Sequence, residues 1–176
     1  AMWAIRDCTV KNNADLGIIF DTDVDRAAIV ASDGEEINRN RLIALVSAIV
    51  LQKYPGATIV TDSVTSDGLK EFIEAHGGVH HRFKRGYRNV INEAIRLCNS
   101  GVTAPLAIET SGHAAMKDNY FLDDGAYLVT NIIIEAVRLK EQNKTLQSLI
   151  ADLKCPLEEK EIRLTFGDGV DFKRVG

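Results

Sequence analysis

Residues Leu16 to Ile29 read LGIIFDTDVDRAAI, a short apolar run that empties into carboxylates at alternate positions. Leu16, Ile18, Ile19 and Phe20 predict a buried strand. Asp21, Asp23 and Asp25 follow, with Arg26 directly behind them. Carboxylates this close repel one another unless a positive charge sits among them. An all-oxygen donor set suits a hard cation such as Mg²⁺ better than zinc, which prefers nitrogen and sulfur. The loop therefore reads as a metal site. An EF-hand calcium loop would open with the same acids, but it needs Gly at the sixth position and Glu at the twelfth, where this chain has Arg26 and Ser32. A solvated acidic turn is the weaker reading, because an apolar strand precedes the acids and Ala27, Ala28, Ile29 and Val30 resume at once.

Around this loop the chain is an ordinary globular one: 176 residues, 45% hydrophobic and 26% charged, with room for one full core. Its net charge of −4 supplies no basic field for nucleic acid, so small molecules are the expected partners. Cys8, Cys98 and Cys155 are odd in number, widely spaced and without a Cys-x-x-Cys pair, which argues against a disulfide framework or zinc ribbon. A reducing cytoplasm is expected. No apolar run approaches the roughly 18 residues of a membrane span, and no export signal is visible.

Residues 1–13 show no clear period. Beyond the acidic loop, Arg26 to Ala31 predicts a second strand, and the turn Ser32-Asp33-Gly34 makes a hairpin with the acids at one end. Asn38 or Asn40 is expected to cap a helix buried on one face through Leu42, Leu45, Val46, Ile49 and Val50. Thr58 to Asp62 predicts a strand, followed by a helix capped by Ser66 with Leu69, Phe72 and Ile73 inward, stopped at Gly77-Gly78. Val79 to Phe83 predicts the next strand. The basic loop Lys84-Arg85-Gly86-Tyr87-Arg88 leads into a helix carrying Val90, Ile91, Ala94, Ile95 and Cys98. Pro105 to Glu109 predicts a strand running into Thr110-Ser111-Gly112-His113. Asp123 and Asp124 are expected to cap a long helix with the stripe Leu128, Val129, Ile132, Ile133, Ala136 and Val137. A short helix over Leu146, Leu149, Ile150 and Leu153 and a strand at Glu161 to Phe166 complete the pattern. The alternation predicts an α/β fold, three-layer α/β/α, with a small mainly parallel mixed sheet and helices on both faces.

Three strand-end loops, DTDVDR, KRGYR and ETSGH followed by KDNYFLDDG, resemble in order and spacing those of the α-D-phosphohexomutases, the phosphoglucomutase and phosphomannomutase family. The resemblance runs from Ala14 to Val137. It implies that Asp21, Asp23 and Asp25 hold Mg²⁺ and that Arg26 faces a phosphoserine. It also implies that Glu109, Ser111 and His113 contact a hexose phosphate, with Gly86 and Arg88 on the loop between. Ile108 stands where the family has glycine, and Arg85 where it has valine. The family's Thr-Ala-Ser-His-Asn-Pro and Arg-x-Ser-Gly-Thr loops are absent from these residues. The resemblance thus implies part of a longer enzyme: residues 1–36 from the end of the second domain, 37–142 the third domain, and 143–176 a helix and linker toward the fourth. The remaining domains and a hexose phosphate are the expected partners.

An Asp-x-Asp at a strand end also resembles the haloacid-dehalogenase-like phosphatases, with Asp21 as nucleophile, Asp23 as acid and Asp123-Asp124 as a second acidic motif. A sugar-phosphate-binding module without catalysis is the third reading. His80 and His81 are adjacent, face opposite sides of a strand and read as structural.

Overall fold

The structure, a computed structural model, describes residues 2–156, 158 and 160; the strand expected at Glu161 to Phe166 lies outside the described residues. Two sheets organise it. Strands β1 (Leu16–Phe20), β2 (Ala27–Ala31) and β3 (Glu36–Ile37) form an antiparallel sheet in that order, so the expected hairpin exists and gains a third strand. The second sheet holds β4 (Thr58–Asp62), β5 (Val79–Phe83), β6 (Leu106–Ile108) and β7 (Ala114–Met116) in the order β5-β4-β6-β7. Its first three strands are parallel, while β7 folds back antiparallel on β6.

Alternation along the central strands builds both layers of the core. Ile59, Leu106 and Ile108 point to one face, toward α2 (Asn40–Lys53), α3 (Asp67–Ala75) and α5 (Gly125–Glu141). Val60 and Ala107 point to the other, where α4 (Tyr87–Asn99) contributes Val90 and Ala94. The β4-to-β5 crossover and the β5-to-β6 crossover run in opposite directions along the sheet, and right-handed connections in opposite directions place α3 and α4 on opposite faces. The α/β expectation with helices on both faces is met.

Several local expectations are corrected. Strand β1 is not buried: only Gly17 is, and Phe20 is exposed, because β1 is an edge strand with a single neighbour. The aperiodic start of the chain is helix α1 (Met2–Lys11), which buries only Thr9 and so carries almost no apolar signal. It crosses β1 at Gly17, where any Cβ would strike Thr9 Oγ1. Helix α2 is buried on nearly every side, from Leu42 through Ala48, rather than on one face. Neither Asn38 nor Asn40 caps it: the N-cap position is Arg39, at φ 52°. Other partners claim the two amides, Asn38 donating to its near neighbour Glu36 Oε2 (3.1 Å) and Asn40 Oδ1 accepting from the distant Ser66 backbone N–H (3.1 Å). Ser66 does cap α3, accepting from Leu69 N.

On α5 the buried line is Leu128, Val129, Ile132, Glu135 and Leu139, whereas Ile133 and Val137 of the expected stripe are exposed. Glu135 tolerates burial because Arg138 binds it at 2.6 and 2.8 Å and Gln52 donates to it at 3.2 Å.

On β5, His81 Nε2 lies 3.0 Å from Glu93 and His80 Nε2 lies 2.7 Å from Thr61 Oγ1. Burial, then the charges of Arg82 and Lys70, push the His80 pKa down to about 4. The folded chain keeps this ring neutral where the unfolded chain, with an ordinary value of 6.5, takes up a proton. Its stabilising contribution is complete above the unfolded value and is lost as pH falls from 6.5 toward about 4. The melting temperature is expected to drop across that window. His80 accounts for about 1–2 kcal/mol after discounting for its partial exposure. His80→Gln should flatten the slope, and parallel melting curves for the two proteins would remove His80 as its source.

Candidate active site

The connections from β4 to β5 and from β5 to β6 run in opposite directions along the sheet, and open α/β sheets bind ligands outside the carboxyl ends of the strands where connections diverge in this way. The loops after β4, β5 and β6 converge there. Asp62 ends β4 fully buried and accepts from Thr110 through its hydroxyl (2.7 Å) and backbone N–H (3.4 Å). This anchors the turn after β6. Within the turn the Glu109 N–H donates to His113 O (2.9 Å) and the Gly112 N–H to Glu109 O (3.0 Å). Gly112 has φ +100°, and a Cβ on it would stand 2.9 Å from Ala27 O. Glycine is required by conformation and by the close approach of β2.

Across that contact Arg26 and His113 pair as an isolated antiparallel bridge, which joins the acidic loop to the ETSGH turn. Asp21 accepts from the Arg26 side chain (Nε to Oδ2, 2.6 Å) and from its backbone N–H (3.2 Å). Desolvation would raise the Asp21 carboxyl, but the hydrogen bonds and charge of Arg26 outweigh it and hold the pKa below the ordinary carboxylate value. Asp25 moves the other way: desolvation, then the charges of Asp21 and Asp23, raise it against the pull of His113. One oxygen each from Asp21, Asp23 and Asp25 lies within 4.8 Å of the others. Asp25 Oδ1 is buried without a hydrogen bond among the described residues. Arg26 Nε stands 3.6 Å from that atom, so a convergent all-oxygen set with a buried oxygen short of a hydrogen bond fits a hard divalent cation.

The remaining sequence candidates meet on the same edge. Glu109 is buried, accepting from the Gly86 N–H at 2.6 Å and from Ser111 Oγ at 3.1 Å, so one carboxylate ties KRGYR to ETSGH. Gly86, at φ +116°, can turn its N–H inward where a side chain would strain the backbone. Arg88 Nε donates to Tyr87 Oη (3.0 Å) and lies over that ring, whose other neighbour is His113 at 4.8 Å between centroids.

Sequence reasoning missed Asp62, Tyr87 and Asp123. Asp62 ends the strand TIVTD as an acid at a parallel-strand terminus, a position that itself marks a binding edge. Asp123 was expected to share the helix cap with Asp124. In the structure only Asp124 caps α5, accepting from Tyr127 N, while Asp123 Oδ2 sits 2.7 Å from His113 Nδ1.

A three-layer α/β domain that gathers an acidic loop and a Glu-Ser-His turn at its sheet's switch point defines a class of ligand-binding domain. Residues 38–155 match the family described as phosphoglucomutase/phosphomannomutase, alpha/beta/alpha domain III. The chain belongs to the phosphoglucomutase/phosphomannomutase family. It is 36% identical over 166 residues to a phosphomannomutase/phosphoglucomutase of Pseudomonas syringae pv. tomato, covering 94% of this chain and 34% of that protein. A phosphomannomutase of Methanocaldococcus jannaschii is 33% identical over 140 residues, 79% of this chain and 29% of that one. A solved phosphoglucomutase/phosphomannomutase family protein of Burkholderia thailandensis superposes with a TM-score of 0.72 at 30% identity, over 88% of this chain and 33% of that chain. The chain spans about a third of the length of the curated relatives it matches. Family membership leaves the haloacid-dehalogenase-like alternative without support, and Asp123 and Asp124 do not act as one acidic pair. Among the described residues no helix is long and apolar enough to cross a membrane.

Proposed function

We propose that this chain supplies the Mg²⁺-binding and sugar-binding loops of a phosphohexomutase, which interconverts hexose 1-phosphate and 6-phosphate through a phosphoserine carried elsewhere in a longer cytoplasmic enzyme. Residues 1–36 then belong to the end of its second domain, 37–142 to its third, and 143–176 lead toward a fourth. The observation that carries this reading is the Arg26–His113 bridge, which puts the acidic loop and the ETSGH turn side by side.

Asp21, Asp23 and Asp25 would hold the Mg²⁺, which when bound neutralises charge on a transferring phosphoryl group. Arg26, already held by Asp21, offers its remaining guanidinium N–H groups toward the phosphoserine side. Glu109 spends one acceptor site on Gly86 and one on Ser111, and a carboxylate has about four, so acceptors remain for sugar hydroxyls. Ser111 and His113 contact the same sugar, while Arg88 reaches its phosphate.

The isolated chain is expected to bind Mg²⁺ weakly, with a calorimetric Kd above about 10 μM, since the phosphoserine oxygen is not among its ligands. It should show no turnover of glucose 1-phosphate. In the longer enzyme Asp23→Asn should lower kcat by about 100-fold or more, because a ligand lost there weakens several kcal/mol of charge stabilisation. Its melting temperature should hardly change, Asp23 being exposed and bonded to nothing among the described residues. Turnover by the isolated chain, or undiminished turnover in Asp23→Asn, would overturn this reading.

A further inference from the structure

His113 is the residue of the ETSGH turn that bridges to Arg26 of the acidic loop, and what fixes its ring is Asp123. Its Nδ1 stands 2.7 Å from Asp123 Oδ2 and 3.6 Å from Asp25 Oδ2. Both members of the closer pair are largely buried, with side chains 15% and 14% exposed. Asp123 is itself held, its backbone bridged to Ala115 of β7. The Tyr87 ring stacks on the imidazole at an interplanar angle of 18°, which limits rotation about the ring plane. Among the described residues Nε2 makes no hydrogen bond.

A neutral imidazole must carry its proton on one nitrogen and present a lone pair on the other, and an ionised carboxylate can only accept. A neutral ring beside an ionised Asp123 2.7 Å away has one arrangement that makes this hydrogen bond, with the proton on Nδ1 and a lone pair directed from Nε2. We propose that Asp123 is a positioning residue, holding His113 as the Nδ1–H tautomer with Nε2 as the acceptor for a hydroxyl of the bound hexose phosphate. This rests on the proposed sugar role of the ETSGH turn and gives a role to an acid of the KDNYFLDDG segment that follows it. Asp25, farther from the ring, is then spared for the cation rather than spent on the histidine.

The tautomer is read directly by long-range ¹H–¹⁵N spectra of the 176-residue chain at a pH of about 8, with His113 assigned by its loss in His113→Gln. The expected result is a protonated Nδ1 in the native chain. Asparagine at 123 can offer an N–H to the ring, so Asp123→Asn should move the proton to Nε2, as when the aspartate of a catalytic triad is changed to asparagine. Asp123→Glu should retain Nδ1–H, and Asp124→Asn, which preserves a good helix cap, should leave the ring unchanged. An Nε2–H ring in the native chain would overturn the proposal, whether or not the variants fold. So would an unchanged ring in a folded Asp123→Asn. Glucose 1-phosphate added to the native sample separates the two readings: a shift of the His113 signals supports the sugar role, and silence counts against that role while leaving the tautomer result standing. In the longer enzyme Asp123→Asn should lower kcat about tenfold or more with KM within about threefold, and Asp123→Glu should recover part of it.

Discussion

Gly125→Ala is expected to destabilise the chain and to weaken Mg²⁺ binding together, although alanine is the better helix former. Gly125 opens α5, and its N–H donates to Val24 O at 3.0 Å, tying the helix to the acidic loop. A Cβ there would stand 2.8 Å from Val24 O, 3.0 Å from Arg26 C and 3.1 Å from Arg26 O. All three are backbone atoms, so no side chain can swing aside. Helix propensity alone would favour alanine by about 1 kcal/mol. Overpacking against fixed backbone costs about 1–3 kcal/mol and sets the sign. A net loss of up to about 2 kcal/mol lowers the melting temperature by up to about 8 °C in a chain of this size. Because the displaced atoms belong to Val24 and Arg26, the residues on either side of Asp25, the calorimetric Mg²⁺ affinity should fall with it. Gly56→Ala is the comparison: Gly56 has φ +79° with nothing within 4 Å, so it should cost stability and leave Mg²⁺ binding alone. If Gly125→Ala is as stable as the native chain or stabler, α5 does not brace the acidic loop.

What the sequence makes legible is divided by the range of the forces involved. Period and turn chemistry are local, and they locate β4, α3, β5, α4 and α5 with their caps at Ser66 and Asp124. Strand β7 is three small or flexible residues, Ala114–Met116, too short to show a period; it exists because β6 offers an antiparallel edge. Asn38 and Asn40 are good caps in isolation, yet Asn38 turns back to Glu36 two residues away, and Asn40 bonds the start of α3, a contact that exists only once the domain has closed. Ile133 and Val137 continue an apolar stripe that the fold does not use, while the acidic Glu135 is buried because Arg138 and Gln52 satisfy it. The same division runs through the site. Acids at alternate positions announce themselves, since their repulsion demands a cation. Asp123 does not, because beside Asp124 it looks like half of a helix cap until His113 is brought to it from ten residues away.

Glu109 offers a way to separate sugar recognition from folding, because glutamine and alanine disturb it differently. A glutamine can turn its carbonyl oxygen toward the Gly86 N–H and its amide toward Ser111 Oγ, replacing both native contacts. The fold should therefore lose less than about 1.5 kcal/mol in Glu109→Gln. Alanine leaves the Gly86 N–H without its acceptor beside a buried turn, and Glu109→Ala should cost about 1–3 kcal/mol. Sugar recognition should follow another order. If the acceptor sites left on the Glu109 carboxylate take hydroxyls of the hexose, glutamine already removes the charge that strengthens those bonds and puts a donor where one acceptor was. A loss of about 1.5–3 kcal/mol per charged hydrogen bond corresponds to about 10- to 150-fold in kcat/KM for the longer enzyme. The dependence on Mg²⁺ concentration should stay as it was, because Glu109 bonds to Gly86 and Ser111 and not to the acidic loop. Glu109→Gln that keeps kcat/KM within about threefold of the parent for both glucose and mannose phosphates would mean that Glu109 serves only to tie KRGYR to ETSGH, and its assignment to the sugar would fall.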